Sequence, residues 1–255
     1  MSAQKRKNLA ARKTYFIYYT KNTAFQSNEF IVGKPKLGTT NEIAPRFTKT
    51  LYYYFPLWYT FFMKKIVLAS SNKGKIKEIS EMLGSDYQVL SIAEAGFDKE
   101  IEETGKTFEE NSFIKARTAC DALSLPVLAD DSGLEVDFLG GAPGVYSARY
   151  SGEPVDNARN RALLLKNMQN ANDRKARFVC VMTLCLPNGK TFSTRGSVEG
   201  RILKEETGNN GFGYDSLFYS DDLNKSFGEA SDEEKNGVSH RGRALKEMIK
   251  ILKTL

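Results

Sequence analysis

The stretch from Ala129 to Gly152, ADDSGLEVDFLGGAPGVYSARYSG, constrains the fold more than any other part of this chain. It joins two adjacent carboxylates to a series of glycines and to aromatic residues with neighbouring basic ones, so it reads as a site before it reads as a scaffold. Pro126, Val127, Leu128 and Ala129 predict a short buried strand, with Asp130 and Asp131 at its carboxyl end, where open α/β sheets place ligands. Consecutive strand residues point to opposite faces. One aspartate is therefore expected to face a cleft and hold a divalent cation, while the other supports a turn at Ser132 and Gly133. Read alone, Asp-Asp-Ser-Gly is equally an ordinary turn, because all these residues favour turns.

The segments around it supply the other parts of a cleft. Lys65 to Ala69 predicts a strand, followed by the polar loop Ser70-Ser71-Asn72-Lys73-Gly74-Lys75 and a helix from about Lys75 to Leu83 with Ile76, Ile79, Met82 and Leu83 on one side. A strand, a glycine-containing loop and a helix start form an anion site, to which Asn72 and Lys75 can add side-chain donors. Thr107 and Glu110 make a capping box for a helix running to about Leu123, with Asn111 and Lys115 on one face of it. Glu102 and Glu103 precede that cap. Hard cations such as Mg²⁺ take a few carboxylate oxygens together with substrate phosphates.

Ala176 to Leu186, then Pro187-Asn188-Gly189-Lys190, then Thr191 to Val198 predict a β-hairpin. Pro154 to Asn170 predicts a helix with proline in its first turn. Ser231 and Glu234 cap a short acidic helix carrying Lys235, and Ser239 caps the last helix, with His240 and Arg241 in its first turn. His240 is the single histidine of the chain.

Five segments occur in one order: Ser70 to Lys75 with Glu78, Glu102-Glu103-Thr104-Gly105 with Thr107, Phe108 and Asn111, the Asp130-Asp131 stretch, Gly211-Phe212-Gly213-Tyr214-Asp215, and Ser239-His240-Arg241-Gly242. In this the chain resembles the inosine triphosphate pyrophosphatase family from Met63 to its C-terminus. One departure is Ser216, where similar proteins usually carry proline. The resemblance implies a single elongated α/β domain with a mixed, curved sheet, two lobes and a central cleft, commonly a homodimer. It implies hydrolysis of aberrant purine nucleoside triphosphates (dITP, ITP, XTP) to the monophosphate and pyrophosphate. By the same resemblance Asp131 is the proton acceptor for water; Glu102 and Asp131 are the carboxylates expected to hold Mg²⁺, and Asp130 is the reserve base. Ser70, Ser71, Asn72, Lys73, Gly74, Lys75, Ser132, Phe212, Gly213, Tyr214, Asp215, Lys235, His240 and Arg241 bind the substrate, with Phe212 stacking on the base. Lys235 and Arg241 are pure hydrogen-bond donors and a protonated or suitably tautomeric His240 adds another, matching the 6-keto acceptor of hypoxanthine and xanthine against the 6-amino donor of adenine. Alternatives are a pyrophosphatase of related architecture acting on other modified nucleotides, and a nucleic-acid-binding protein.

Charge divides the chain. Residues 1–62 hold ten Lys and Arg against Glu29 and Glu42, a balance of +8, whereas residues 63–255 hold 27 against 29, a balance of −2. The basic character belongs to the extension, so it gives the catalytic part no nucleic-acid footprint. The extension ends in the aromatic run Leu51 to Phe62, too short for a bilayer, which takes about 20 apolar residues. Met63-Lys64-Lys65 before an apolar strand makes a natural start, so residues 1–62 are expected to lie outside the fold; a targeting presequence or a binding arm are the other readings. Cys120, Cys180 and Cys185 have no metal-binding spacing and fit buried thiols in a reducing cytoplasm, with Cys180 and Cys185 on opposite strand faces.

Overall fold

A computed structural model describes residues 16–20, 29–33 and 64–255. In the extension, β1 (Phe16–Thr20) pairs antiparallel with β2 (Glu29–Gly33), Phe16 opposite Gly33 and Thr20 opposite Glu29. The sequence reading does not anticipate this pair, although FIYYT is rich in the aromatic and β-branched residues that favour strands. The aromatic run Leu51 to Phe62 lies outside the described residues.

The other unit is a single α/β domain built on a mixed seven-stranded sheet of order β4-β3-β5-β6-β7-β8-β9. Strand β3 (Lys64–Leu68) leads into helix α1 (Lys73–Leu83) and returns as β4 (Tyr87–Ser91), parallel to β3. Helix α2 (Phe108–Leu123) then precedes β5 (Val127–Val136), which lies parallel to β3 on its other side. From β5 onward every pairing is antiparallel, through β6 (Lys175–Cys185), β7 (Thr191–Ile202), β8 (Phe218–Ser220) and β9 (Lys225–Ser226). Helix α3 (Asn157–Asn167) lies between β5 and β6, while α4 (Asp232–Val238) and α5 (His240–Leu252) close the chain.

Strand alternation sorts the core onto two faces. Leu68, Leu128, Met182 and Leu184 pack with Ile79 of α1 and Ala244, Leu245 and Met248 of α5. Val67, Val127, Ala129 and Cys185 point the other way, onto Ala116, Ala119 and Cys120 of α2. Towards the far end of β5, β6 and β7 a further core joins Leu134, Val136, Phe178 and Val198 to Leu164, Phe218 and Phe227. All three cysteines are buried free thiols, and Cys180 and Cys185 do fall on opposite faces.

The largest correction concerns β5. The expected strand of residues 126–129 followed by a turn is one continuous ten-residue strand through Asp130, Asp131, Ser132 and Gly133, in register with β6 from Val127 opposite Cys185 to Val136 opposite Ala176. Ladder pairing along its whole length overrides the local turn preference of Asp, Ser and Gly. Gly133 belongs in that strand because a Cβ there would strike the Gly144 carbonyl and the Ser147 hydroxyl. Two helix starts also differ: α1 begins at Lys73 because Asn72 is its N-cap, and α3 begins at Asn157 because Asp156 caps it. Pro154 therefore precedes the helix. Both capping boxes and the Ser239 cap form as expected.

Candidate active site

A cavity of about 770 Å³ runs between the β3–α1 loop, the middle of β5 and the Gly211 to Asp215 loop. At its first end, Asn72 accepts hydrogen bonds from the Gly74 and Lys75 amides at 3.0 and 3.3 Å, and its own amide donates to the Ser70 hydroxyl. Ser70, Ser71, Asn72 and Lys75 line the cavity. Exposed Lys73 lies outside the lining, and Gly74 contributes through its missing side chain: a Cβ there would come within 2.7 Å of the Phe212 ring.

Because β5 is a strand, Asp130 and Asp131 do point to opposite faces. Asp131 faces α2 and the cavity, where its Oδ1 accepts from Lys115 Nζ at 3.0 Å and its Oδ2 has no partner. Lys115 also sits 3.1 Å from Glu103. Burial above all pushes the Asp131 carboxyl up, with Lys115 and Lys75 working against it and Glu103 adding to it. Burial alone would lower Lys115, yet Asp131, Asp130 and Glu103 together hold it raised and charged. Of the two loop acids, Glu103 lines the cavity, whereas Glu102 is exposed and outside the lining. Among the described residues no group of three His, Cys, Asp or Glu side chains converges.

Asp130 is sealed. It lies 3.1 Å from Lys75 Nζ and accepts from Arg241 Nη2 at 3.3 Å and from the Ser132 hydroxyl at 3.2 Å. Burial raises its carboxyl, but Lys75, Arg241 and Lys115 outweigh that and leave it well below the usual carboxylate range. An aspartate with no exposed side-chain surface, held by two cations, cannot reach a water as a reserve base.

Behind Asp130 the ions continue. Arg241 donates to Glu78 and to Ser132, and Lys235 donates to Glu78 at 2.8 Å and to Asp215 at 2.6 Å. Lys75, Lys235 and Arg241 balance Asp130, Glu78 and Asp215, so this buried cluster is neutral overall. Lys235 spends two of its three donors internally and Arg241 four of its five, leaving one N–H on each for a ligand. Asp215 also accepts from the Phe212 amide at 2.7 Å, and the Tyr214 hydroxyl donates to the Ser147 carbonyl at 2.8 Å, so both fix the loop that carries Phe212 and Gly213. His240 stacks on Phe178 with ring centres 4.8 Å apart. Burial, then Arg241 and Lys235, hold its pKa well below the usual value, so it is a neutral imidazole rather than a protonated one. Its Nδ1 has no partner.

The sequence reading places Lys115 only on a helix face and does not find Phe178. A cation one helical turn after Asn111, behind a capping box and close to acids, was the available signal for Lys115. Nothing in the local sequence marks Phe178.

The fold recurs in solved structures, and the sequence profile of the Ham1 family matches residues 66–251. The chain belongs to the Ham1 family. A dITP/XTP pyrophosphatase of Bacillus licheniformis is 47% identical over 193 residues, covering 74% of this chain and 98% of that one. One from Desulforamulus reducens is 50% identical over 194 residues, covering 75% and 96%. Among solved structures, the Staphylococcus aureus Ham1 protein superposes with a TM-score of 0.69 at 44% identity, covering 75% of this chain and 99% of that one. A Ham1 protein from Coxiella burnetii gives the same TM-score at 40% identity, covering 76% of this chain and all of that one.

Proposed function

We propose that this Ham1-family chain is a nucleoside triphosphate pyrophosphatase that hydrolyses aberrant purine triphosphates, dITP, ITP and XTP, to the monophosphate and pyrophosphate. The observation that carries this reading is the unpartnered Asp131 Oδ2 in a cavity that the cations Lys75, Lys235 and Arg241 also line. Lys75 and the hydroxyls of Ser70 and Ser71 bind the triphosphate, and Asp131 takes a proton from the water that attacks the α phosphorus as the bond to the bridging oxygen breaks. Lys115 holds Asp131 in place and works against the rise that burial imposes on its carboxyl. Asp131 and Glu103 flank the single cation Lys115, which leaves one excess negative charge and an open hard oxygen donor, a setting that suits Mg²⁺. Asp131 with the acids of the Glu102-Glu103 loop would hold that ion. Bound there, it would screen phosphate charge and polarise the phosphoryl oxygens.

At the base end, the remaining N–H groups of Lys235 and Arg241 suit a 6-keto acceptor. A 6-amino group there would leave donors facing donors, costing about 1–3 kcal/mol per buried group. The decisive experiment is product analysis with ITP, XTP, dITP and ATP, with and without Mg²⁺. Pyrophosphate from the first three, and little from ATP, is expected; orthophosphate as first product overturns the reading.

Residues 63–255 are the catalytic unit in this proposal, and a chain starting at Met63 is expected to keep its kcat/KM for ITP within about twofold. A homodimer working in the cytoplasm accords with the resemblance and is checked by light scattering and by fractionation. Among the described residues no helix is long and apolar enough to cross a membrane.

A further inference from the structure

The Gly211 to Asp215 loop needs its shape fixed, since Gly211 and Gly213 both adopt positive φ, 74° and 63°, where the backbone has many alternatives. Asp215 and Tyr214 tie down its far side through Lys235 and the Ser147 carbonyl. The carbonyl of Gly213, next to Phe212, has another anchor outside the cavity. Arg161 of α3 donates to it from Nη1 at 3.0 Å. The Arg161 Nε lies 2.9 Å from Glu206 Oε2, and that oxygen accepts from the Ser216 hydroxyl at 2.9 Å. Ser216 in turn accepts the Thr207 amide on its carbonyl at 2.8 Å. Arg161, Glu206 and Ser216 thus close a ring around the outer side of the loop. The preceding residue, Asn160, uses its amide side chain on Ser151 and Ala148, which brace another part of the cavity wall.

We infer that Arg161 is a positioning residue that presets the Phe212 loop for the purine base by holding the Gly213 carbonyl, with Glu206 and Ser216 holding Arg161 in turn. This rests on the nucleotide-hydrolase reading above. The Glu206 carboxyl is lowered chiefly by its pairing with Arg161, with a smaller contribution from Ser216, in keeping with a charged, oriented acid. Arg161 itself is outside the cavity lining, so it acts only through the loop. If loss of the anchor leaves about one molecule in ten with the competent loop, apparent substrate affinity falls about tenfold, while the bound complex recovers the same geometry.

The test is Arg161→Ala in the full chain, with ITP kinetics and inhibition by inorganic pyrophosphate, which needs the phosphate end alone. The expected result is an ITP KM raised about tenfold, kcat within about twofold, and an unchanged inhibition constant for pyrophosphate. Arg161→Lys, which keeps one donor and the charge, restores part of the KM. An unchanged KM, or equal weakening of ITP and pyrophosphate, overturns the inference. Hydrogen exchange across residues 211–216, expected to be faster in Arg161→Ala than in the parent protein, is readable even if the parent hydrolyses no purine triphosphate. That outcome would refute the hydrolase reading alone, whereas unchanged exchange would refute the role of Arg161.

Discussion

Asp130 and Asp131 are the same side chain on neighbouring residues of one strand, yet the two faces of β5 give them opposite properties. The Asp130 face is closed: three cations and three anions neutralise one another, and Asp130 is held ionised by Lys75 and Arg241. The Asp131 face is open to the cavity, and one cation, Lys115, contacts two acids there. Each carboxylate keeps one oxygen without a hydrogen-bond partner, but that of Asp130 lies among the buried cations, whereas Asp131 lines the cavity, where a metal ion or a water can meet it. The difference lies in the surroundings that strand alternation gives each residue, and not in the residues themselves.

The strongest way to break this contrast is Asp131→Asn. It should lower kcat for ITP by roughly 10²–10⁴, the range of a general acid–base contribution, with little change in the melting temperature. A loss below tenfold would show that the open face does not hold the base. On the closed face, Asp130→Ala should cost stability instead, about 3–5 kcal/mol in urea unfolding, because it strands buried cations. If Asp130→Ala unfolds no more easily than Asp131→Asn, the two faces are energetically alike and the contrast fails.

Metal binding sharpens it further. Saturating Mg²⁺ should stabilise the protein by about 2.7 kcal/mol at a hundred times its Kd, and Asp131→Asn should abolish the shift in a thermal melt. Glu78→Gln, on the closed face, should retain it. The smallest effect is in acid. Burial raises the Glu78 carboxyl, but Arg241 and Lys235 outweigh burial and leave it below its ordinary value of 4.5. Its contribution to stability is therefore complete above about pH 4.5 and is lost as pH falls through the lower folded-state value. Glu78→Gln should show a shallower fall in stability over that window, and an equal slope would take Glu78 out of the closed cluster.

Features set by local chemistry were legible in the sequence: the Thr107–Glu110 and Ser231–Glu234 boxes, the Asn188-Gly189 hairpin, and the opposed directions of Asp130 and Asp131. The run Asp130 to Gly133 misled because its residues favour turns, whereas its conformation is set by β6, some fifty residues later in the chain. The resemblance assigns Lys235 and Arg241 to the base. That most of their donors are spent on Glu78, Asp215 and Asp130 could not be read, since those partners come from α1, β5 and the Phe212 loop. The pairing of Lys115 with Glu103 and Asp131 was hidden for the same reason: it exists only once α2 lies against β5.

Gly74 sits beside Lys75 in the first turn of α1, and the Phe212 ring occupies the space where its side chain would be. On the proposed reading, the part of the wall assigned to phosphate and the part assigned to the purine thus meet where the Phe212 ring packs against Gly74. Evolution cannot retune one without the other feeling it: a methyl group added at position 74 would displace the ring, and a larger ring at position 212 would press on the helix start. A change in the proposed base preference is then easier to accommodate at residues that leave this contact intact.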